Sequence, residues 1–208
     1  MLNELFNRYP QLIVCKDEIN KTVEAMIRCY KSGGKILLCG NGGSCADCEH
    51  IVGELMKGFL KKRRLSQEQK AEMIRNSPLL NDVLLDKLQG GLPAVALPSF
   101  SALNSAFCND VDPELTYAQS VMALGKKNDI LIALSTSGNA RNVFSAAKVA
   151  KGLGITVVAL TGKAGGMLKE CSDLCITVPE HETYKIQELH LPVYHYLCAA
   201  VEHEFFKD

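Results

Sequence analysis

The chain has 208 residues with 23 basic and 23 acidic side chains, so its formal net charge is zero, and 47% of its residues are apolar. A chain of this length buries roughly 70% of its extended surface on folding, enough for one core, so one domain over residues 1–208 is expected. The balanced charge and apolar content exclude an intrinsically disordered chain and argue against a general polyanion binder, so nucleic acid is not an expected partner.

From Leu2 to Tyr30 apolar residues recur at three- and four-residue steps (Leu5, Ile19, Val23, Met26, Ile27, Tyr30), which predicts an N-terminal helix over 2–32 stopped by Ser32-Gly33-Gly34. The same stretch shows neither an apolar h-region nor a small-residue cleavage site, so no export signal is expected. Five short apolar runs follow at 35–39, 93–97, 129–134, 155–160 and 174–178, each bounded by Gly, Ser, Asn or Pro. They read as strands buried on both faces. Helix-like segments lie between them: Ser44 to Gly58, Ser101 to Cys108, Tyr117 to Ala123, Asn142 to Lys151, Gly166 to Cys171 and a long last one from Thr183 to Phe206. Strand and helix in alternation predict an α/β fold: a five-stranded parallel sheet with helices on both faces, its ligand beyond the carboxyl ends of the strands.

No apolar run approaches the ~20 residues of a membrane span. Nine cysteines in a chain too large to need disulfide staples read as reduced thiols. A soluble, cytoplasmic protein with no membrane partner is the expectation. Residues 61–92 interrupt the alternation and carry a charge cluster: six basic against two acidic side chains within 61–75, or +4, against −4 for the remainder. A solvated, partly helical insertion is expected there, with a lid or subunit contact as the other reading.

Two strand ends open into small polar loops that lead straight into helices, Gly40-Asn41-Gly42-Gly43-Ser44 and Ser135-Thr136-Ser137-Gly138-Asn139. Amides at a helix N-terminus, with hydroxyls beside them, make an anion cradle suited to a phosphate ester. Neither loop fits the phosphate loop or dinucleotide patterns, so a small phosphorylated molecule is expected and no nucleotide cofactor. His50 and Glu54 share one helix face and suit metal binding or proton transfer. On the last helix, at about 100° per residue, His195 falls roughly 80° from Gln187, His190 roughly 60° to the other side and His203 about 160° away. Geometry therefore discards His203 and leaves His190 and His195 open. Pro192 is a candidate kink in this helix. Cys45 and Cys48 form a C-x-x-C, read as small packing residues rather than a redox or zinc pair.

The stretches CGNGGSCADCEHIVGEL, NDVDPEL, ILIALSTSGNARNV, VVALTGKAGGML and KIQELHLPVYH, in this order, resemble the sugar isomerase (SIS) domain of the bacterial phosphoheptose isomerase family, with 61–92 outside the resemblance. The resemblance implies a flavodoxin-like three-layer fold, a homotetramer with shared active sites, and interconversion of sedoheptulose 7-phosphate with its aldose. It implies substrate contacts at Asn41, Gly42, Gly43, Ser44, Asn109, Asp110, Ser135, Thr136, Ser137 and Gln187. Glu54 would be the base, also touching substrate, and His195 the acid. His50, Glu54, Gln187 and His195 would hold a divalent metal, usually zinc. Ala140 and Tyr184 depart from the family pattern, which has a further serine and, in some members, an aspartate at these places. Two other readings are an isomerase for another sugar phosphate and a non-catalytic SIS binding or regulatory protein; a related initiator-binding factor lacks the Glu and His that this chain keeps.

Overall fold

All five runs form strands in the computed structural model, which describes residues 2–206: β1 (Ile36–Cys39), β2 (Ala94–Ala96), β3 (Ile130–Leu134), β4 (Thr156–Thr161) and β5 (Leu174–Thr177). Every pairing is parallel, in the order β2-β1-β3-β4-β5, with Ile36 opposite both Ala94 and Ile130. Successive side chains on a strand point to opposite faces, so each run feeds two cores. Ile36, Leu38, Ile130, Ile132, Leu134, Val158 and Leu160 enter one, and Leu37, Cys39, Leu131, Ala133, Val157 and Ala159 the other. That two-sided burial is why the runs are continuously apolar.

The first core is covered by α1 (Leu2–Arg8), α2 (Lys16–Lys31), α3 (Gly43–Met56) and α10 (Thr183–Phe205). The second is covered by α7 (Thr116–Leu124), α8 (Arg141–Gly152) and α9 (Gly166–Cys171). Three further helices, α4 (Gln67–Asn76), α5 (Asp82–Leu85) and α6 (Ser101–Asp110), lie in the connections flanking β2. α10 runs unbroken through Pro192, which is buried.

The N-terminal helix expected over 2–32 is divided. Pro10 has no N–H to continue the helix and Tyr9 before it leaves helical geometry (φ −133°, ψ 69°), so α1 ends at Arg8 and a 3-10 turn over Pro10–Cys15 re-aims the chain into α2. The segment 61–92 is helical as expected, with a Ser66–Gln69 capping box opening α4. Its charge cluster is not a uniformly solvated face. Arg63 is buried against Glu202, Lys70 pairs with Asp86, and Lys61 donates to the Phe206 carbonyl.

Candidate active site

Strand order reverses between β1 and β3, the place where sheets of this kind open a crevice beyond their carboxyl ends. Both polar loops end there. Asn41, Gly42, Gly43 and Ser44 from the first, Ser135, Thr136 and Ser137 from the second, and Ala140, Thr183 and Gln187 line a cavity of about 310 Å³. A Cβ on Gly43 would stand 2.4 Å from Gln187 Nε2, so a side chain there would displace the Gln187 amide from the cavity. Gly138 takes φ +69°, and a Cβ on it would stand 1.9 Å from the Gly165 carbonyl oxygen. Asn41 is held by a reciprocal amide pair with Asn142 (2.8 and 3.0 Å), and Tyr117 donates to Asn41 Oδ1 and to the Gly40 carbonyl. Ala140 caps α8 without any side-chain hydrogen bond, and of the first-turn amides the Val143 N–H donates to Asn142 Oδ1 (3.0 Å), which leaves those of Arg141 and Asn142 for a ligand. A larger cavity, about 480 Å³, lies at the opposite end of the sheet, where its acidic and basic side chains face one another.

Further along α3 and α10 a second cluster forms. His50 Nε2 stands 3.3 Å from Glu54 Oε1 and 3.5 Å from His195 Nε2, and Lys57 Nζ reaches Glu54 Oε2 at 3.3 Å. The structure thus decides between the two histidines left open by helical periodicity. His190 is fully buried, its Nε2 3.3 Å from the Thr161 carbonyl, and burial pushes its pKa down to about 4. His195 reaches the surface beside Phe59. Burial, then the neighbouring His50 and Arg8, lowers its pKa against the pull of Glu54.

Two residues that motif reading missed organise this cluster. The Tyr194 hydroxyl donates to Asp47 Oδ1 (3.1 Å) and lies 3.0 Å from His50 Nδ1. With its one proton on Asp47, the hydroxyl accepts from His50 Nδ1–H, and His50 Nε2 is turned toward Glu54 and His195. Burial raises the pKa of Asp47, against the opposing hydrogen bond from Tyr194, and raises that of Tyr194, with the charge of Asp47 adding to it. Tyr194 precedes His195 in an apolar helix pattern and reads there as core, so no sequence signal marks it.

Two imidazole nitrogens and a carboxylate, grouped around His50 Nε2 at 3.3–3.5 Å, are donor types that suit a divalent cation. Zinc bonds of about 2.0–2.2 Å set neighbouring donors about 3.3–3.5 Å apart, and two imidazoles with a carboxylate are a recurrent catalytic zinc set. The two His50 spacings fit that demand, and Tyr194 supplies the outer hydrogen bond that fixes a ligating imidazole. No group of three or more His, Cys, Asp or Glu among the described residues stands ready-formed for an ion, so closure requires side-chain rotation. Gln187 lines the phosphate-loop cavity instead, about 12 Å of helix rise from His195. Asn109 and Asp110, at the end of α6, are exposed, bond to one another and do not line that cavity. Cys48 is buried and its thiol pKa is raised well above the ordinary range by burial, so Cys45 and Cys48 act as packing residues.

A doubly wound sheet with two hydroxyl-rich loops at its switch point and a carboxylate and imidazoles alongside defines an SIS-type phosphosugar protein. Two SIS domain family models match the chain, over residues 14–89 and 102–200. Phosphoheptose isomerases are similar over most of the length: that of Burkholderia pseudomallei (strain 1710b) is 39% identical over 188 residues, covering 90% of this chain and 82% of the relative. The Roseiflexus sp. (strain RS-1) protein is 36% identical over 185 residues, 89% of this chain and 81% of the relative. The solved phosphoheptose isomerase from Francisella tularensis superposes with a TM-score of 0.73 at 29% identity, covering 96% of this chain and 97% of its own. The chain belongs to the phosphoheptose isomerase family of SIS-domain enzymes and is a phosphosugar isomerase. The 14–89 match takes in most of residues 61–92.

Proposed function

We propose that the protein interconverts D-sedoheptulose 7-phosphate and D-glycero-D-manno-heptose 7-phosphate through an enediol. The observation that carries this is the spacing of the two clusters. Gly43 and His50 are separated by about 10 Å of helix rise on α3, and Gln187 and His195 by about 12 Å on α10. An extended seven-carbon sugar, at ~1.5 Å per C–C bond, places its phosphorus about 10 Å from C1 and C2. Ser135, Thr136 and Ser137, with the amides of the Gly42 to Ser44 turn, hold the phosphate, and the carbonyl end then reaches Glu54 and His195.

Glu54 takes the proton from C1 of the ketose and returns it to C2, and the opposite transfers run the reaction backward. His195 serves the oxygens with its N–H, as a neutral imidazole does in triosephosphate isomerase. Phosphate binding far from the reacting carbons contributes by positioning them. His50, Glu54 and His195 are the residues that would hold a divalent ion, zinc by donor type, which would supply Lewis-acid polarisation of the sugar oxygens when bound, while Gln187, placed at the other cavity, stays with the phosphate end.

Exposed Phe100, Leu103, Val111, Leu115 and Met122 support assembly into a homotetramer, and a site shared between copies accounts for Asn109 and Asp110 lying outside the cavity of their own chain. Nine unbridged cysteines, with the Cys15 and Cys29 thiols pushed up to about 11 by burial, suit a reducing cytoplasmic setting. Among the described residues no helix is long and apolar enough to cross a membrane. NMR of the protein with sedoheptulose 7-phosphate, as purified and zinc-loaded, tests the reaction: the aldose signal should grow to equilibrium, and its absence in both samples refutes the proposal.

A further inference from the structure

α3 ends at Met56, two residues after Glu54, and the last carbonyls of a helix have no partner within it. The Lys57 amide takes the Gly53 carbonyl at 3.3 Å. Both of the next two accept from one side chain, as Arg63 Nη2 donates to the Glu54 carbonyl (2.8 Å) and Nη1 to the Leu55 carbonyl (2.6 Å), which also accepts the Leu92 amide (2.9 Å), so Arg63 is the side-chain partner of the turn that carries Glu54. Arg63 Nε donates to Glu202 Oε1 at 2.7 Å, and the guanidinium lies 4.7 Å from the Phe206 ring centroid. Glu202 also accepts the Phe59 and Leu60 amides, both at 2.8 Å. The two side chains are 0% and 1% exposed. Glu202 follows His195 by seven residues on α10, so both lie on one stripe of that helix.

A buried ion pair is weak evidence for stability, since apolar residues of similar volume often serve as well. This one also holds an unfavourable backbone: Arg63 has φ +45°, the one non-glycine positive φ among the described residues, and its carbonyl is fixed by the Gly90 amide at 2.8 Å. Strain of this kind persists where the surroundings over-determine it, often beside functional sites.

We propose that the Arg63–Glu202 pair is a positioning clamp for catalysis, tying the last turn of α3, and so Glu54, to the stripe of α10 that carries His195. The role rests on the isomerase reading for its kinetic consequence but not for its geometry. Loss of the clamp frees the final turn of α3 to fray, and a displacement of about 1 Å at a reacting group costs on the order of a hundredfold in rate.

The test compares wild type, Arg63→Lys and Arg63→Met/Glu202→Gln as full chains, with circular dichroism and Tm confirming the fold at the assay temperature. The double variant removes both charges, so it spares the protein an unpaired buried ion. kcat should fall at least fivefold in a folded variant while KM for sedoheptulose 7-phosphate changes less, and the His50 and His195 ring signals in 1H–15N spectra of metal-free protein should move. A smaller fall in kcat, or a KM change as large as that in kcat, overturns the clamp. So does failure of both variants to fold, which makes the pair purely structural. Should wild type turn over no heptulose phosphate, the isomerase reading fails separately and the ring signals alone decide: shifted signals support the clamp, unchanged ones overturn it.

Discussion

Tyr194→Phe deletes one oxygen atom from a side chain that is 1% exposed, and that atom joins Asp47 to His50. Asp47 Oδ2 is already buried without a hydrogen-bond partner, so the variant leaves the carboxylate with neither oxygen served by Tyr194. A hydrogen bond to a charged group contributes about 1.5–3 kcal/mol. The ring itself stays, so no large cavity forms, and a loss of about 2 kcal/mol is expected, or roughly 4–8 °C in Tm for a chain of this size. The sign of the pH dependence follows from Asp47. Burial raises its folded pKa above the usual aspartate range, so its favourable contribution is present at low pH and is lost as pH rises through the folded pKa. Removing the Tyr194 donor raises that pKa further, so the stability deficit of the variant should be largest at pH 7 and shrink as the pH falls toward 4. Urea unfolding at pH 7 and at pH 4.5 measures both. The same deletion frees the Nδ1 of His50, and zinc affinity by competition titration should weaken 10- to 100-fold. A deficit below about 0.5 kcal/mol at pH 7 together with unchanged zinc affinity would refute the Asp47–Tyr194–His50 chain.

Glu54→Gln keeps the shape of the base and removes its proton affinity, so kcat should drop about 10²- to 10⁴-fold while calorimetric binding of the heptulose phosphate stays within a fewfold of wild type; turnover at the wild-type rate would exclude Glu54 as the base. In His50→Ala the zinc content of dialysed protein, read by plasma mass spectrometry, should fall below half that of wild type, and unchanged content would remove His50 from the ligand set. Gly138→Ala forces a Cβ to within 1.9 Å of the Gly165 carbonyl oxygen at φ +69°. A left-handed conformation alone costs roughly 1–2 kcal/mol, so a Tm loss of several degrees is expected, with a raised KM from the displaced phosphate loop; a wild-type melting curve would contradict it.

The helical turns on either side of the site show which features local pattern carries. Strands with both faces buried leave a continuous apolar signature, and all five were legible within two residues at each end. So were the two polar loops that meet at one cavity, because glycines at a strand end are required by the turn that leads into a helix. Helical periodicity left His190 and His195 open because angle around an axis says nothing of which stripe is covered; burial of His190 under the sheet decided it. The N-terminal periodicity survived across Pro10 although the helix did not, since the 3-10 turn still sends Leu12 and Cys15 into the core.

The sequence by itself therefore determined the sheet, the two cradles, the candidate base and the resemblance to a sugar isomerase, all of which depend on neighbours close along the chain. Tertiary structure alone decided what the opening charge count concealed. Arg63, read as one of a solvated basic cluster, is buried 139 residues away in sequence from its partner Glu202, and Tyr194 bonds to residues 144 and 147 positions distant. Pairings of such separation leave no periodic trace, because the chemistry that fixes them, a desolvated charge or hydroxyl finding its partner, exists only once the chain has closed around them.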